Sequence, residues 1–207
     1  MSSKKFGLLI LFILPFLLGA AVSVKADTLY FNGVNGRVDV TGRAYISPYF
    51  GGLNKPGGMD NIYCIDPIND AYPHTHWNVN VTLLDTNTSL SNTYLGNSGR
   101  TQYKEVAWLF FETNYGTRSL SDQQAIQAAV WWIINPGNAY GRNNSWVPLA
   151  QAHYEEGNYS RVYILTDTSH QKQEFMINQP VTEVSTLFLL GTGMICIWAV
   201  RRWGRKS

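Results

Sequence analysis

Two apolar segments with basic flanks, one at each end of the 207-residue chain, limit most strongly what it can fold into. The first runs from residue 6 to 22, follows Lys4 and Lys5, and ends in small residues at Ala26. A basic start, an apolar middle and a small-residue exit are the parts of a secretory signal peptide, with an uncleaved anchor as the alternative. We therefore predict a signal peptide over residues 1–26 and a folded part that begins at Asp27, outside the cytoplasm.

The second apolar segment predicts one membrane-spanning helix. Residues 184–200 carry no charge, and about 17–25 apolar residues span a bilayer as a helix. A basic tail follows at once: Arg201, Arg202, Arg205 and Lys206. Basic residues just beyond a span tend to stay cytoplasmic, which again places the preceding chain outside the cytoplasm. The membrane is thus a predicted partner of the C-terminal segment.

The charge of the chain changes sign when these ends are set aside. The whole chain has a formal net charge of +2, but seven of its 16 Lys and Arg residues lie in the terminal segments. All 14 Asp and Glu residues lie between Asp27 and Glu183, so the predicted exported part carries nine basic and 14 acidic residues, a formal charge of −5. Because an acidic domain repels phosphate backbones, we predict no nucleic-acid partner.

The C-terminal segment resembles a PEP-CTERM sorting signal. The matching features are a short acidic motif, a span rich in Leu and Gly, and a final arginine cluster. The motif consists of four residues: Thr182, Glu183, Val184 and Ser185. Of the family's Pro-Glu-Pro it keeps only the glutamate. The resemblance implies an exosortase-type partner and a bacterial cell-envelope protein, anchored in the membrane or released to the extracellular matrix. It also implies association with exopolysaccharide or biofilm. An ordinary single-pass anchor is the alternative.

Residues 27–179 predict one β-rich α+β domain, a sandwich or barrel-like fold with two or three inserted helices. Segments rich in β-branched and aromatic residues alternate with clusters of Gly, Asn and Pro. These segments predict strands over 28–31, 37–47, 61–65, 77–84, 160–166 and 171–177.

Three segments in the middle of the domain predict helices. Residues 102–112 follow Thr101, a residue suited to cap a helix, and residues 147–157 form a weaker helix. Between them, the segment 120–134 starts with Ser121 and Gln124 at capping-box spacing and stops at an Asn-Pro-Gly turn.

Gln127 lies on the most apolar face of the predicted helix 120–134. It shares that face with Val130, Trp131 and Ile134, at helical spacings of three, four and seven. A buried amide costs free energy unless it is hydrogen-bonded. We therefore expect Gln127 either to be satisfied within the core or to have a chemical role.

Two segments together resemble the thioester domains of bacterial surface proteins. One is Tyr-Cys-Ile-Asp at residues 63–66, on a strand, and the other is Gln-Ala-Ala-Val-Trp at residues 127–131, on a helix. Ile126 stands where that family has Thr or Ser. The resemblance implies an internal thioester between Cys64 and Gln127, which a surface amine or hydroxyl attacks to form a covalent tether. The alternatives are two inert core residues, an intermolecular disulfide or a reactive thiol.

Besides a matrix protein and a covalent adhesin, a third possible function is that of a Cys/His hydrolase of the envelope, which has weaker support. His74 and His76 lie two residues apart and near Cys64 in sequence, but no orienting or oxyanion motif accompanies them. The same pair has the spacing of metal ligands on a strand, without a third ligand at a recognisable spacing. We therefore predict a non-enzymatic protein without a metal or other cofactor.

Overall fold

The computed structural model describes residues 27–138, 140–141 and 143–178. The predicted signal peptide, the sorting motif, the apolar span and the basic tail lie outside the described residues. The predictions made for them therefore remain predictions. Within the described part of the chain, no helix is long and apolar enough to cross a bilayer.

Six strands form a closed barrel in which all neighbouring strands are antiparallel. The strands are β1 (Asp27–Val34), β2 (Tyr49–Leu53), β3 (Asp60–Cys64), β4 (Thr75–Leu83), β5 (Val162–Asp167) and β6 (Phe175–Asn178). Around the barrel they follow the order β1, β2, β3, β6, β5, β4, and β4 pairs again with β1. Closure leaves no sheet edge unpaired.

Three helices fill the connection between β4 and β5. They are α1 (Arg100–Ala107), prolonged by a π-helical turn (Trp108–Glu112), α2 (Leu120–Ile134) and α3 (Trp146–His153). Short 3₁₀ turns at Gly96–Gly99, Tyr115–Thr117 and Tyr154–Glu156 join or extend them. The prediction of a β-rich, barrel-like α+β domain with two or three inserted helices is confirmed.

The predicted strand over residues 37–47 is wrong. This segment makes only an isolated bridge between Val38 and Tyr45. The Asp39 carboxylate accepts hydrogen bonds from the backbone N–H groups of Thr41, Arg43 and Ala44, which folds the segment into a tight loop. Local side-chain bonds of this kind compete with a strand ladder.

The sequence pattern missed β2, which contains two adjacent glycines. A Cβ atom on Gly51 would lie 2.8 Å from the Tyr30 carbonyl oxygen, and one on Gly52 would lie 2.8 Å from that of Lys55. The glycines therefore permit close backbone approach within the barrel, although their low strand propensity suggests a loop.

Both predicted N-caps are wrong by two positions. Helix α2 is capped by Ser119, whose hydroxyl accepts from the Asp122 N–H at 3.2 Å, and not by Ser121. Helix α1 begins at Arg100, directly after a 3₁₀ turn, so Thr101 lies inside it. The predicted C-terminal stop of α2 at Asn135 is confirmed.

Two apolar clusters form the core, one inside the barrel and one between the barrel and the helices. Cys64, at the end of β3, belongs to the barrel cluster, and the next residue, Ile65, belongs to the helix cluster. Trp131 of α2 also packs in the helix cluster. The end of β3 thus lies where the barrel meets α2.

Candidate functional site

Cys64 is the last residue of β3 and has no solvent-exposed surface. Its backbone N–H donates to the hydroxyl oxygen of Ser47 at 2.9 Å, and its thiol donates to the main-chain carbonyl of Asp66 at 3.3 Å. It is a free cysteine, and the described residues contain no other. Pairing with β6 through Phe175 fixes its backbone position.

Gln127, in the middle of α2, is also fully buried. Its Nε2 donates to the main-chain carbonyl of Cys64 at 2.9 Å, and its Oε1 accepts from the backbone N–H of Ser47 at 3.0 Å. The structure therefore brings together the two residues singled out from the sequence, although 63 positions separate them. Burial of Val130, Trp131 and Gln127 confirms the predicted apolar face of this helix.

The orientation of the Gln127 amide follows from its two partners. A backbone N–H is only a donor and a carbonyl is only an acceptor, so Oε1 must face Ser47 and Nε2 must face the Cys64 carbonyl. The amide group is thus fixed beside the residue that carries the thiol.

Ser47 is a site residue that the sequence pattern missed. It is fully buried in the loop between β1 and β2, and all three of its polar groups are engaged. Its N–H donates to Gln127 and its hydroxyl oxygen accepts from Cys64, as described above, and its carbonyl accepts from the Tyr115 hydroxyl at 2.8 Å. No motif marks a loop serine, so only the fold reveals its contacts.

The environment of Cys64 keeps its thiol protonated. Burial, and next the carboxylate of Asp66, raise the pKa of the Cys64 thiol to about 12. Trp131 and Tyr49 act in the opposite direction on this pKa, as do bonds to the Asp66 backbone, but they are outweighed. The thiol is therefore not a free thiolate at neutral pH.

Trp131, which lies near Cys64, has an unusual feature of its own. Its side chain is 2 % exposed, and its indole N–H has no hydrogen-bond partner among the described residues. Buried donors are rarely left without a partner. The same side chain lies close enough to the Cys64 sulfur to lower the thiol pKa.

A cavity of about 230 Å³ lies next to this cluster. Three of its lining residues, Tyr49, Asp66 and Trp131, are also those that influence the Cys64 thiol. Asp70 and Tyr140 line it as well. The cavity and the Cys64 thiol thus share the first three of these residues as neighbours.

Glu174, directly before β6, is a second buried polar group that the sequence pattern missed. Its main-chain carbonyl accepts from the N–H of Ile65 at 3.1 Å, next to Cys64. Its carboxylate accepts from the Tyr103 hydroxyl at 2.7 Å, the Thr166 hydroxyl at 2.5 Å and the Tyr94 N–H at 3.1 Å. Burial raises the pKa of this carboxyl from 4.5 to about 7, although these three bonds lower it.

The two histidines do not join the site. His74 and His76 are exposed, whereas Cys64 is fully buried, and His76 stacks on Tyr30 with ring centroids 5.3 Å apart. In the described ranges, no three His, Cys, Asp or Glu side chains are grouped so that they could hold a metal ion.

Comparison with protein-family models, curated proteins and solved structures gave no match. The interpretation of the site therefore depends on its geometry and chemistry.

Proposed function

We propose that the folded domain forms an internal thioester between Cys64 and Gln127 and uses it to attach covalently to a surface. The observation that carries this proposal is the hydrogen bond from the Gln127 amide to the Cys64 carbonyl. It joins a carboxamide and the residue bearing the thiol in a fully buried site. Exclusion of water matters here because a thioester in contact with water hydrolyses.

The reaction needs no component beyond the two side chains. The sulfur of Cys64 attacks the amide carbon of Gln127, a sulfur–carbon bond forms, and the carbon–nitrogen bond breaks. The thiol proton leaves with the amide nitrogen as ammonia. Because the thiol pKa is about 12, we expect this proton to be transferred during the attack and not before it.

An attacking nucleophile would enter through the cavity beside Trp131. A surface amine or hydroxyl in this cavity would lie beside Tyr49 and Asp66, which line it. Attack transfers the acyl group of Gln127 to the nucleophile and restores the thiol. This is a single acyl transfer without turnover, so the protein acts as a covalent adhesin and not as an enzyme.

The proposed location of this domain in the cell depends on the predicted terminal segments of the chain. Export by the signal peptide, recognition of the segment 182–185 by an exosortase, and the span 184–200 would put the domain on the outer side of the envelope. A matrix role with exopolysaccharide or biofilm as partner follows from the PEP-CTERM resemblance.

A second candidate function is that of an exported matrix protein without a thioester. It is favoured by the fact that both polar atoms of the Gln127 side chain already have hydrogen-bond partners. In that case Gln127 only ties α2 to β3 and to the Ser47 loop, and Cys64 is a buried apolar residue.

Intact mass separates these two functions. We expect the full chain, purified in detergent without reductant, to be lighter by one ammonia than its sequence requires. The Cys64→Ala chain should have the full mass of its own sequence. A wild-type chain of full mass, with a thiol that is alkylated once the protein is unfolded, would contradict the thioester.

Exosortase sorting is tested separately by replacing Glu183. In a bacterium that contains an exosortase, we expect Glu183→Ala to leave the protein in the membrane fraction while the wild type is processed near residues 182–185. Ser185→Ala in the same motif is the comparison, and processing that does not depend on Glu183 would contradict sorting by this motif.

A further inference from the structure

We propose that Ser47 holds the two reacting side chains in register and that its backbone N–H polarises the Gln127 amide while the thioester forms. This inference rests on the thioester proposed above. It assigns a role in the chemistry to a residue that belongs to neither of the two motif segments.

Ser47 contacts both reactants at once. Its N–H donates to Oε1 of Gln127 at 3.0 Å, and its hydroxyl oxygen accepts from the N–H of Cys64 at 2.9 Å. Ser47, which itself has no exposed surface, thus adds a second link between Cys64 and Gln127 to their direct hydrogen bond. Reactions within a protein are fast when the reacting atoms are held in place beforehand.

The N–H of Ser47 lies where negative charge develops. When sulfur adds to the amide carbon, the carbonyl electrons move to Oε1, and this oxygen already accepts the Ser47 N–H. A donor placed at a developing oxyanion stabilises the transition state more than the ground state. The bond from Nε2 to the Cys64 carbonyl keeps the leaving nitrogen on the opposite side of the amide.

The remaining polar group of Ser47 anchors it to the helical part of the domain. Its carbonyl accepts from the hydroxyl of Tyr115, a fully buried residue in the 3₁₀ turn before α2. The loop that carries Ser47 is thus fixed to β3 through the hydroxyl and to the helices through the carbonyl and the N–H. Ser47 therefore helps to fix the position of Cys64 relative to α2.

The rate of thioester formation tests the proposal. The full chain is made by cell-free translation with liposomes of phosphatidylethanolamine and phosphatidylglycerol, synthesis is stopped, and the fraction lighter by one ammonia is followed by intact mass. We expect Ser47→Ala, which leaves the Cys64 N–H without its acceptor, to slow the reaction about tenfold. Glyceric acid in place of Ser47 keeps the hydroxyl but replaces the N–H by an ester oxygen, and we expect it to slow the reaction about a hundredfold.

Thr113→Ala is the matched control, because it also removes one buried hydroxyl that bonds to the main chain, here as a donor to the Leu109 carbonyl. We expect it to react at the wild-type rate. If Ser47→Ala does not fold, Tyr115→Phe replaces it and should slow the reaction about threefold.

Each outcome has a separate meaning. A wild-type rate of thioester formation in Ser47→Ala, in the Tyr115→Phe chain that replaces it, or in the glyceric acid chain would overturn the role of Ser47. A wild-type chain that never loses ammonia would instead refute the proposed function, so the two failures are distinguishable.

Discussion

We expect the wild-type chain to capture one methylamine per molecule, and the Gln127→Glu and Cys64→Ala chains to capture none. Methylamine is a small primary amine that attacks a thioester and leaves a stable methylamide. Gln127→Glu keeps the size of the side chain but replaces the amide by a carboxyl group, which a thiol does not convert to a thioester at neutral pH. The effect is therefore complete loss of capture.

Gln127→Glu should also destabilise the domain. The new carboxyl lacks the N–H donor that now bonds to the Cys64 carbonyl at 2.9 Å, in a position without exposed surface. A buried acceptor left without its donor, together with a buried acid, costs about 2–4 kcal/mol. Loss of capture must therefore be compared with a control of known stability.

Gln124→Glu provides that control on the same helix. Gln124 also donates through Nε2 to a main-chain carbonyl, that of Val38, but this bond is at an exposed position. We expect Gln124→Glu to capture methylamine as the wild type does. The measurement is intact mass after incubation with methylamine, with urea unfolding in parallel. Capture by the Gln127→Glu chain would show that another group reacts.

The parts of the site that could be predicted from the sequence are those that depend on local periodicity. The burial of Gln127 follows from the helical spacing of Val130 and Trp131, and the strand at Cys64 follows from its β-branched and aromatic neighbours. Both predictions concern single elements, in which the pattern of apolar residues determines the buried face. The structure adds that the end of β3 and the middle of α2 meet.

The parts that could not be predicted are those that depend on contacts between distant segments. Ser47 lies at the end of a segment whose composition favours a strand, yet Asp39 folds that segment into a loop through local hydrogen bonds. Glutamate is usually exposed in folded proteins. Glu174 can be buried only because Tyr103, Thr166 and the Tyr94 backbone donate hydrogen bonds to its carboxylate. Satisfaction of a buried polar group by partners far away in sequence leaves no local signal.

We expect the free energy of unfolding to fall by about 3 kcal/mol as the pH rises from 4.5 to 7, because of Glu174. Its carboxyl has a pKa of about 7 in the folded domain, raised mainly by burial, against 4.5 as the ordinary value. Between these two values the unfolded chain has lost the proton and the folded chain still holds it. The folded state then binds more protons, so stability falls with rising pH and levels off only once the pH is well above the folded pKa of about 7.

The other carboxyl groups with shifted pKa values either change stability in a different pH range or contribute equally to the wild type and the Glu174→Gln chain. The pKa values of Asp39 and Asp167 are lowered, through hydrogen bonds to their carboxylates that outweigh burial, so their contribution is lost only as the pH falls below the ordinary value of 3.8. Burial raises the pKa of Glu105, in the same direction as for Glu174. The difference between the wild type and Glu174→Gln therefore isolates the group of interest.

The measurement is urea unfolding of residues 27–179 at pH values from 4 to 8, with Cys64→Ala in every chain so that no thioester complicates refolding. Glu174→Gln should remove most of the slope between pH 4.5 and 7, because an amide accepts the Thr166 and Tyr94 donors without titrating. Glu105→Gln should leave most of the slope in place. An equal slope with and without Glu174 would contradict the assignment. A loss of the slope would show that the Glu174 carboxyl holds its proton more tightly in the folded domain than in the unfolded chain.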